Sequence, residues 1–282
     1  MMMARRTQTP HGLAKFRGTL LLVGAGKMGG AMLDGWLARG LKPKQIAIME
    51  PQPAKAIKAL ARRGVRLNPK GKIADVSAIV VAVKPQIAPE ALPPIAQFVD
   101  KSTLVLSIMA GRTIAFLERT LAPNAAVVRA MPNTPASIGR GITVVVANNK
   151  TAARHRRLAT DLLSAIGKVE WAKDENLMDA VTAVSGSGPA YVFLLAECLA
   201  KAGIAAGLPA ALAKALARET IAGSGELLHR SPLDAATLRQ NVTSPGGTTA
   251  AALEILMGPS GFEALLTKAV AAATRRGREL AG

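Results

Sequence analysis

The short apolar run Leu20-Leu21-Leu22-Val23 ends in Gly24-Ala25-Gly26-Lys27-Met28-Gly29, and a helical pattern then continues to about Arg39. A continuous apolar run of this length is what a strand buried on both faces of a parallel sheet requires. Gly40 supplies the helix stop. A second strand is predicted over Gln45–Met49 and ends in the acid Glu50, roughly twenty residues beyond the glycines. A glycine triplet alone is a weak signal. Placed between a strand and a helix, with an acid closing the next strand, it has the context of a dinucleotide fingerprint. Gly24 then allows the tight turn, Gly26 lets the backbone approach a pyrophosphate, and Gly29 lets helix and strand pack closely. Glu50 faces the adenosine ribose hydroxyls, where an acid favours NAD and repels a 2′-phosphate. No arginine follows in Pro51-Gln52-Pro53-Ala54-Lys55, although Lys55 offsets part of that repulsion.

Further strands are predicted at Ala78–Val83, Leu104–Ser107, Ala126–Arg129 and Ile142–Val146, with helical segments between most of them. Alternation of this kind implies an α/β fold with a doubly wound parallel sheet. Two strand ends are unusually punctuated. Val83-Lys84-Pro85-Gln86 closes one, and Arg129-Ala130-Met131-Pro132-Asn133-Thr134-Pro135-Ala136 follows another. Ligands of open α/β sheets bind beyond the carboxyl ends of strands, so both loops are expected to face the nicotinamide half. Paired prolines stiffen the second loop around Asn133 and Thr134. A plain rigid turn is the competing reading, and for Lys84 a solvated surface lysine.

After about residue 172 the strand pattern stops. Ala190–Ala206, Pro209–Leu228 and Gly261–Leu280 read as helices, with breaks at Gly207 and Ser231-Pro232. The expected organisation is a disordered extension over 1–17, a Rossmann-type domain over 18–172 and a helical domain over 173–282. Alanine-rich helices with apolar stripes must bury them, and in a domain this small a second copy of the chain is the economical cover, so a homodimer is expected. Within this part Thr243-Ser244-Pro245-Gly246-Gly247-Thr248-Thr249 runs straight into the helix former Ala250-Ala251-Ala252-Leu253-Glu254. Such a loop sets backbone N–H groups and hydroxyls at a helix N-terminus, a seat for a small carboxylate. The alternative is that Ser and Thr merely cap the helix.

Composition excludes several other classes. Half of the 282 residues are apolar and 19% charged, which is globular rather than disordered. Residues 1–17 hold no acid and no apolar core of signal-peptide length. No uninterrupted apolar stretch reaches the ~20 residues of a membrane span, and the longest, Val181–Ala196, is broken by Ser185-Gly186-Ser187-Gly188-Pro189; no membrane association is expected. The single cysteine, Cys198, lies in an apolar run and reads as a buried, inert thiol. His11, His155 and His229 have no partners at ligand spacing, so no metal site is expected. The formal charge is +18, but the basic residues are dispersed and aromatics are only 3%. The stacking platforms of single-strand binders are therefore missing, and no nucleic acid partner is expected. A general positive field draws an anionic cofactor and substrate equally well.

Taken together, the chain resembles the pyrroline-5-carboxylate reductase family. The resemblance runs from Leu20 to about Thr274 through six ordered segments: Val23–Gly29, Ala82-Val83-Lys84-Pro85-Gln86, Ser107-Ile108-Met109-Ala110-Gly111, Arg129–Pro135, Ser185–Tyr191 and Val242–Thr249. It implies a Rossmann domain followed by a helical domain interlocked with a second subunit, in some members within larger rings of dimers. It implies a cytoplasmic enzyme that transfers a hydride from NADPH or NADH to the ring imine of L-1-pyrroline-5-carboxylate, giving L-proline. In such proteins the loop matching Ser244, Gly246, Gly247, Thr248 and Thr249 holds the substrate carboxylate, and the threonine matching Thr249 bonds the ring nitrogen and is the catalytic residue. Gly24, Ala25, Gly26, Lys27, Met28, Gly29, Glu50, Ala82, Val83, Lys84, Pro85, Ile108, Met109, Ala110 and Asn133 form the expected cofactor site. Asn68 joins them as a match to an asparagine near the adenosine, although the neighbouring spacing is shorter here.

The absence of a positioned histidine or cysteine suits this chemistry. A protonated imine is already an electrophile, so its reduction needs orientation of two ligands and little else. The rival readings are a β-hydroxyacid dehydrogenase, whose catalytic lysine would have to be Lys201 or Lys214, and a non-enzymatic nucleotide-sensing scaffold.

Overall fold

Leu20, Leu21 and Leu22 are wholly buried because β1 (Thr19–Val23) is an interior strand covered on both faces. The computed structural model describes residues 12–281. Its eight strands are β1, β2 (Ile46–Met49), β3 (Arg66–Leu67), β4 (Val76–Val81), β5 (Leu104–Ser107), β6 (Ala126–Met131), β7 (Gly141–Ala147) and β8 (Gly167–Trp171). They lie in the order β3-β2-β1-β4-β5-β6-β7-β8. Strand order reverses between β1 and β4, the switch point at which such sheets bind ligands.

Successive side chains along each strand sort onto opposite faces. Leu22, Ile48, Val80, Leu106 and Val128 share one core with Met32, Leu33 and Trp36 of α1 (Lys27–Ala38), Ile57 and Leu60 of α2 (Lys55–Ala61), and Leu162 and Leu163 from the helix at 153–163. Leu21, Val23, Ile79, Val81, Val105 and Val127 share the other. That second core is closed by the short helices α3 (Ala88–Ala91) and α4 (Pro93–Ala96), by α5 (Ile114–Thr120), and by Met178. The buried Trp36 indole donates to the carbonyl of Leu162 at 2.9 Å, tying α1 to α6 (Ala153–Leu163).

The sheet departs from all-parallel pairing at one place. β7 runs antiparallel to β6, while β7 and β8 are parallel. The connection 132–140 is too short for the crossover a parallel neighbour needs, so the chain must double back. β8 has the alternating pattern of a strand covered on one face, with Val169 and Trp171 against the core and Lys168 paired to Glu170 at 2.8 Å outside.

Packing divides the chain into two compact units, one reaching Gly186 and including the residues from Arg276, the other Ser187–Arg275. Strands do end at Trp171, yet the division falls at 186/187 rather than 172/173. The intervening stretch, with α7 (Met178–Val181), packs on the sheet: Met178 and Ala183 are each 1% exposed. At the other end, the expected extension over 1–17 lies outside the described residues as far as residue 11. Residues 12–17 are not an extension, because Leu13 is drawn into the core at 1% exposure.

The second unit holds α8 (Gly188–Ala205), α9 (Ala210–Arg230), α10 (Ala235–Asn241) and α11 (Thr248–Leu256), and α12 (Phe262–Ala281) begins in it. Small residues let α8 and α9 approach closely: a Cβ on Gly203 would stand 3.3 Å from that of Ala213. The segment Ser185–Pro189 does not end the helical path as its composition suggests. A π-helical turn at Thr182–Gly186 carries the chain into α8. Cys198, expected inside, is exposed on α8, because this helix buries only Ala200 within its own unit.

Candidate active site

Around the switch point the sequence builds a cradle for a phosphate ester. Gly24 has φ +90°, and a Cβ there would lie 2.7 Å from the Ala82 carbonyl oxygen. A Cβ on Gly29 would come within 2.3 Å of the Gly24 carbonyl, so only glycine lets α1 sit this close to the turn. Gly26 differs: nothing lies within 4 Å of its would-be Cβ, which leaves open space at the helix start. Gly26 is also the N-cap of α1, with no side-chain cap and no acid in the first turn. The helix therefore offers uncapped N–H groups, as a pyrophosphate needs. The residues present fit a dinucleotide.

Beside the turn lies a cavity of about 550 Å³ whose walls include Gly24, Gly26, Glu50, Asn68, Ala82, Val83 and Lys84. Glu50 is firmly held in it. Its Oε2 accepts from Ala25 N–H at 2.9 Å and its Oε1 from Gln52 N–H at 3.1 Å. The Asn68 side chain grips the Glu50 backbone on both sides, Oδ1 accepting from Glu50 N–H at 2.8 Å and Nδ2 donating to Glu50 O at 2.9 Å. Asn68 takes φ +46° to do so, a conformation asparagine tolerates better than most residues.

Lys27 and Met28 open α1 at the rim of the turn. The remaining expected cofactor residues sit on neighbouring strand ends. Ile108 N–H donates to Val81 O at 3.0 Å, which aligns the ends of β4 and β5. Met109 is buried in the core at 2% exposure, whereas Ala110 beside it is exposed. Pro85 starts a 3₁₀ turn, and Asn133 uses Oδ1 to accept from Ile142 N–H at 3.0 Å, pinning the loop between β6 and β7. Ile108, Met109, Ala110, Pro85 and Asn133 lie outside the walls of the 550 Å³ cavity.

Three side chains outside the expected cofactor and substrate residues hold these loops. Arg112 donates from Nε and Nη2 to Pro85 O at 3.3 and 3.0 Å and lies 4.7 Å from the Phe116 ring centre. Glu175 Oε1 accepts from Arg129 Nη1 and from Ile114 N–H, both at 2.9 Å. Arg129 is 5% exposed, so its charge depends on that partner. Arg112 and Glu175 are lone charges on connecting segments, with no periodicity to betray them, whereas Arg129 lies in β6 inside a segment already noted. Ser185 Oγ is buried without a hydrogen-bond partner, in the π turn.

In the second unit Ser244-Pro245-Gly246-Gly247 forms a tight turn, with Gly247 N–H donating to Ser244 O at 3.0 Å and Gly246 at φ +69°. Proline then glycine at the centre is what a type II turn demands. Gly247 is the N-cap of α11 and has no side chain to offer; no side chain caps the helix. The reading in which Ser and Thr only cap does not hold here. Thr248 and Thr249 occupy the first turn.

Residues 175–280 match the family described as pyrroline-5-carboxylate reductase dimerisation, and residues 19–111 match NADP oxidoreductase coenzyme F420-dependent. The pyrroline-5-carboxylate reductase of Synechocystis sp. is 40% identical over 262 residues, spanning 92% of this chain and 97% of that one. The chain belongs to the pyrroline-5-carboxylate reductase family. The reductase of Pseudomonas aeruginosa is 39% identical over 93% of this chain and 96% of its own length. Among solved structures, a pyrroline-5-carboxylate reductase from Coxiella burnetii superposes with TM-score 0.85 at 32% identity, covering 93% of this chain and 98% of that one. Pyrroline carboxylate reductase from Plasmodium falciparum, with NADP bound, gives 0.78 at 31%, covering 94% and 99%.

Proposed function

We propose that this chain reduces L-1-pyrroline-5-carboxylate to L-proline with NADPH or NADH, the last step of proline biosynthesis. The observation that carries this reading is the uncapped, glycine-started α11 behind Ser244–Thr249 in a chain of this family. The reduced nicotinamide, when bound, supplies the hydride that turns the C=N bond into a secondary amine. The chain's residues do the rest. The N–H groups at the start of α11 and the Ser244 and Thr248 hydroxyls hold the carboxylate, with the Gly246-Gly247 backbone shaping the seat. The Thr249 hydroxyl orients the ring nitrogen and relays its proton. Gly24–Gly29, Glu50, Asn68, Ala82–Pro85, Ile108–Ala110 and Asn133 hold the cofactor at the sheet's switch point.

The helical region, expected over 173–282, acts as a homodimerisation domain, and larger rings of dimers are compatible with it. The helical stretch Glu175–Ala205 contains an 18-residue window with the mean hydropathy, 1.3, to cross a bilayer, and 6% of that window is buried. It lies inside the region matched by the dimerisation family, which favours a protein partner as its cover. We read the enzyme as cytoplasmic, without nucleic acid or membrane partners.

The test is a spectrophotometric assay with pyrroline-5-carboxylate and each cofactor, with proline measured as product. Thr249→Ala is expected to lower kcat about 100-fold, within the range of general acid–base contributions. Its cofactor affinity should stay near that of the parent. Unchanged turnover in that variant would remove Thr249 from the mechanism.

A further inference from the structure

We infer that this chain selects NADH over NADPH, and that the Glu50 carboxylate is the selecting group. The inference rests on the dinucleotide reading of the switch-point cavity. Glu50 sits in the wall of that cavity, and four hydrogen bonds fix it there: two into its carboxylate from Ala25 and Gln52 N–H groups, two between its backbone and the Asn68 amide. A carboxylate held this way cannot swing aside for an incoming phosphate without releasing the glycine turn. The charged side chains in the cavity wall are Glu50, Glu90 and Lys84, an excess of negative charge. Lys55, which follows in sequence at the start of α2, is not part of that wall. The contrast with the whole molecule is sharp: a chain of formal charge +18 presents a net acidic lining here.

A 2′-hydroxyl can donate to such a carboxylate, whose oxygens each have a lone pair to spare. A phosphate monoester has no such donor and carries about −1.5 to −2 charges at neutral pH, so it meets like charge in a partly desolvated cavity. Overall basicity speeds the arrival of both cofactors, but only the local lining distinguishes them.

The experiment is titration of the full-length protein with NADH and with NADPH in the absence of imine, by ligand fluorescence or calorimetry. NADH is expected to bind at least about tenfold more tightly, the scale of a close like-charge juxtaposition. In Glu50→Gln, which keeps an acceptor for Ala25 N–H and removes the charge, the gap should narrow mainly through tighter NADPH binding. In the unmodified protein the gap should shrink from about 20 mM to about 500 mM salt, because charge repulsion is screened and a steric block is not. NADPH binding as tight as NADH in the parent protein overturns the inference, as does a ratio that moves with neither the substitution nor salt. Should Glu50→Gln fail to fold, the salt series on the parent decides. A protein that binds neither cofactor sinks the dinucleotide reading itself, and one that binds NADH but leaves the imine untouched sinks only the reaction.

Discussion

The two units of this chain bury themselves to very different degrees. The sheet unit has two filled cores, with Leu20, Leu22, Trp36, Ile79 and Leu106 at 0% exposure. From Ser187 to Arg275 the only buried residues are Ala200, Ala213 and Ala217, while Phe193 is 64% exposed, Leu216 49% and Ile255 78%. Both stretches are rich in apolar residues, so composition does not separate them. What does is where the apolar surface goes: strands pair with neighbours a few residues to tens of residues away, whereas these helices present stripes that the unit itself does not cover. Exposed apolar surface on this scale marks an interface. One unit is a finished fold, and the other is half of one.

The comparison can be broken most forcefully at Trp36. Trp36→Ala removes a fully buried indole and its bond to Leu162, and should cost about 3–5 kcal/mol in denaturant unfolding. The loss should be the same in dilute and concentrated protein; a cost that depended on concentration would mean the sheet unit also leans on a partner. A smaller effect is expected at Phe193. Phe193→Glu should weaken self-association by about 2–4 kcal/mol, the size of an interface hot spot, while nucleotide binding persists. Sedimentation that shows this variant still assembled at low micromolar concentration would contradict an interface on this face of α8.

The smallest effect concerns acid. Burial lowers the pKa of His155 below its usual 6.5, with a bond near Ser102 O opposing the shift and Arg154 adding to it. The folded state thus takes up its proton at lower pH than the unfolded chain does. Stability is untouched above about pH 6.5 and falls as pH drops from there through the lower folded-state value. His155→Gln should flatten that part of the stability–pH curve. The sheet unit is where this loss should originate, since no titratable side chain is buried between Ser187 and Arg275. Identical curves for parent and variant would clear His155 of the role.

How legible each part was in the sequence follows from the same physics. Leu104–Ser107 was read with its boundaries intact because a continuous apolar run between turns has few other solutions. β3 was invisible: it is two residues long and one of them is Arg66. β8 hid because its alternation Gly-Lys-Val-Glu-Trp carries only two strongly apolar positions. The antiparallel direction of β7 is set by the length of a connection, which period-two patterning does not encode. The glycine turn and Glu50 stood out because backbone geometry there tolerates so few residue types. Arg112 and Glu175 did not, since an isolated charge on a loop looks the same whether it clasps a carbonyl or faces water. The opening of the helical unit misled in a different way, because a π turn accommodates glycine and serine that would end an ordinary helix.

Glu175 bears on how such a protein can be taken apart and recombined. It is the first residue of the stretch matched by the dimerisation family, yet by packing it belongs with the sheet. The seam of inheritance and the seam of packing therefore lie twelve residues apart, one before 175 and the other after 186. A chimera cut at 187 keeps the carboxylate that Arg129 and the start of α5 share; one cut at 175 takes that carboxylate from the incoming parent. Unless the donor brings an acid to the same spot, the graft inherits a guanidinium sealed inside a foreign host with nothing to neutralise it.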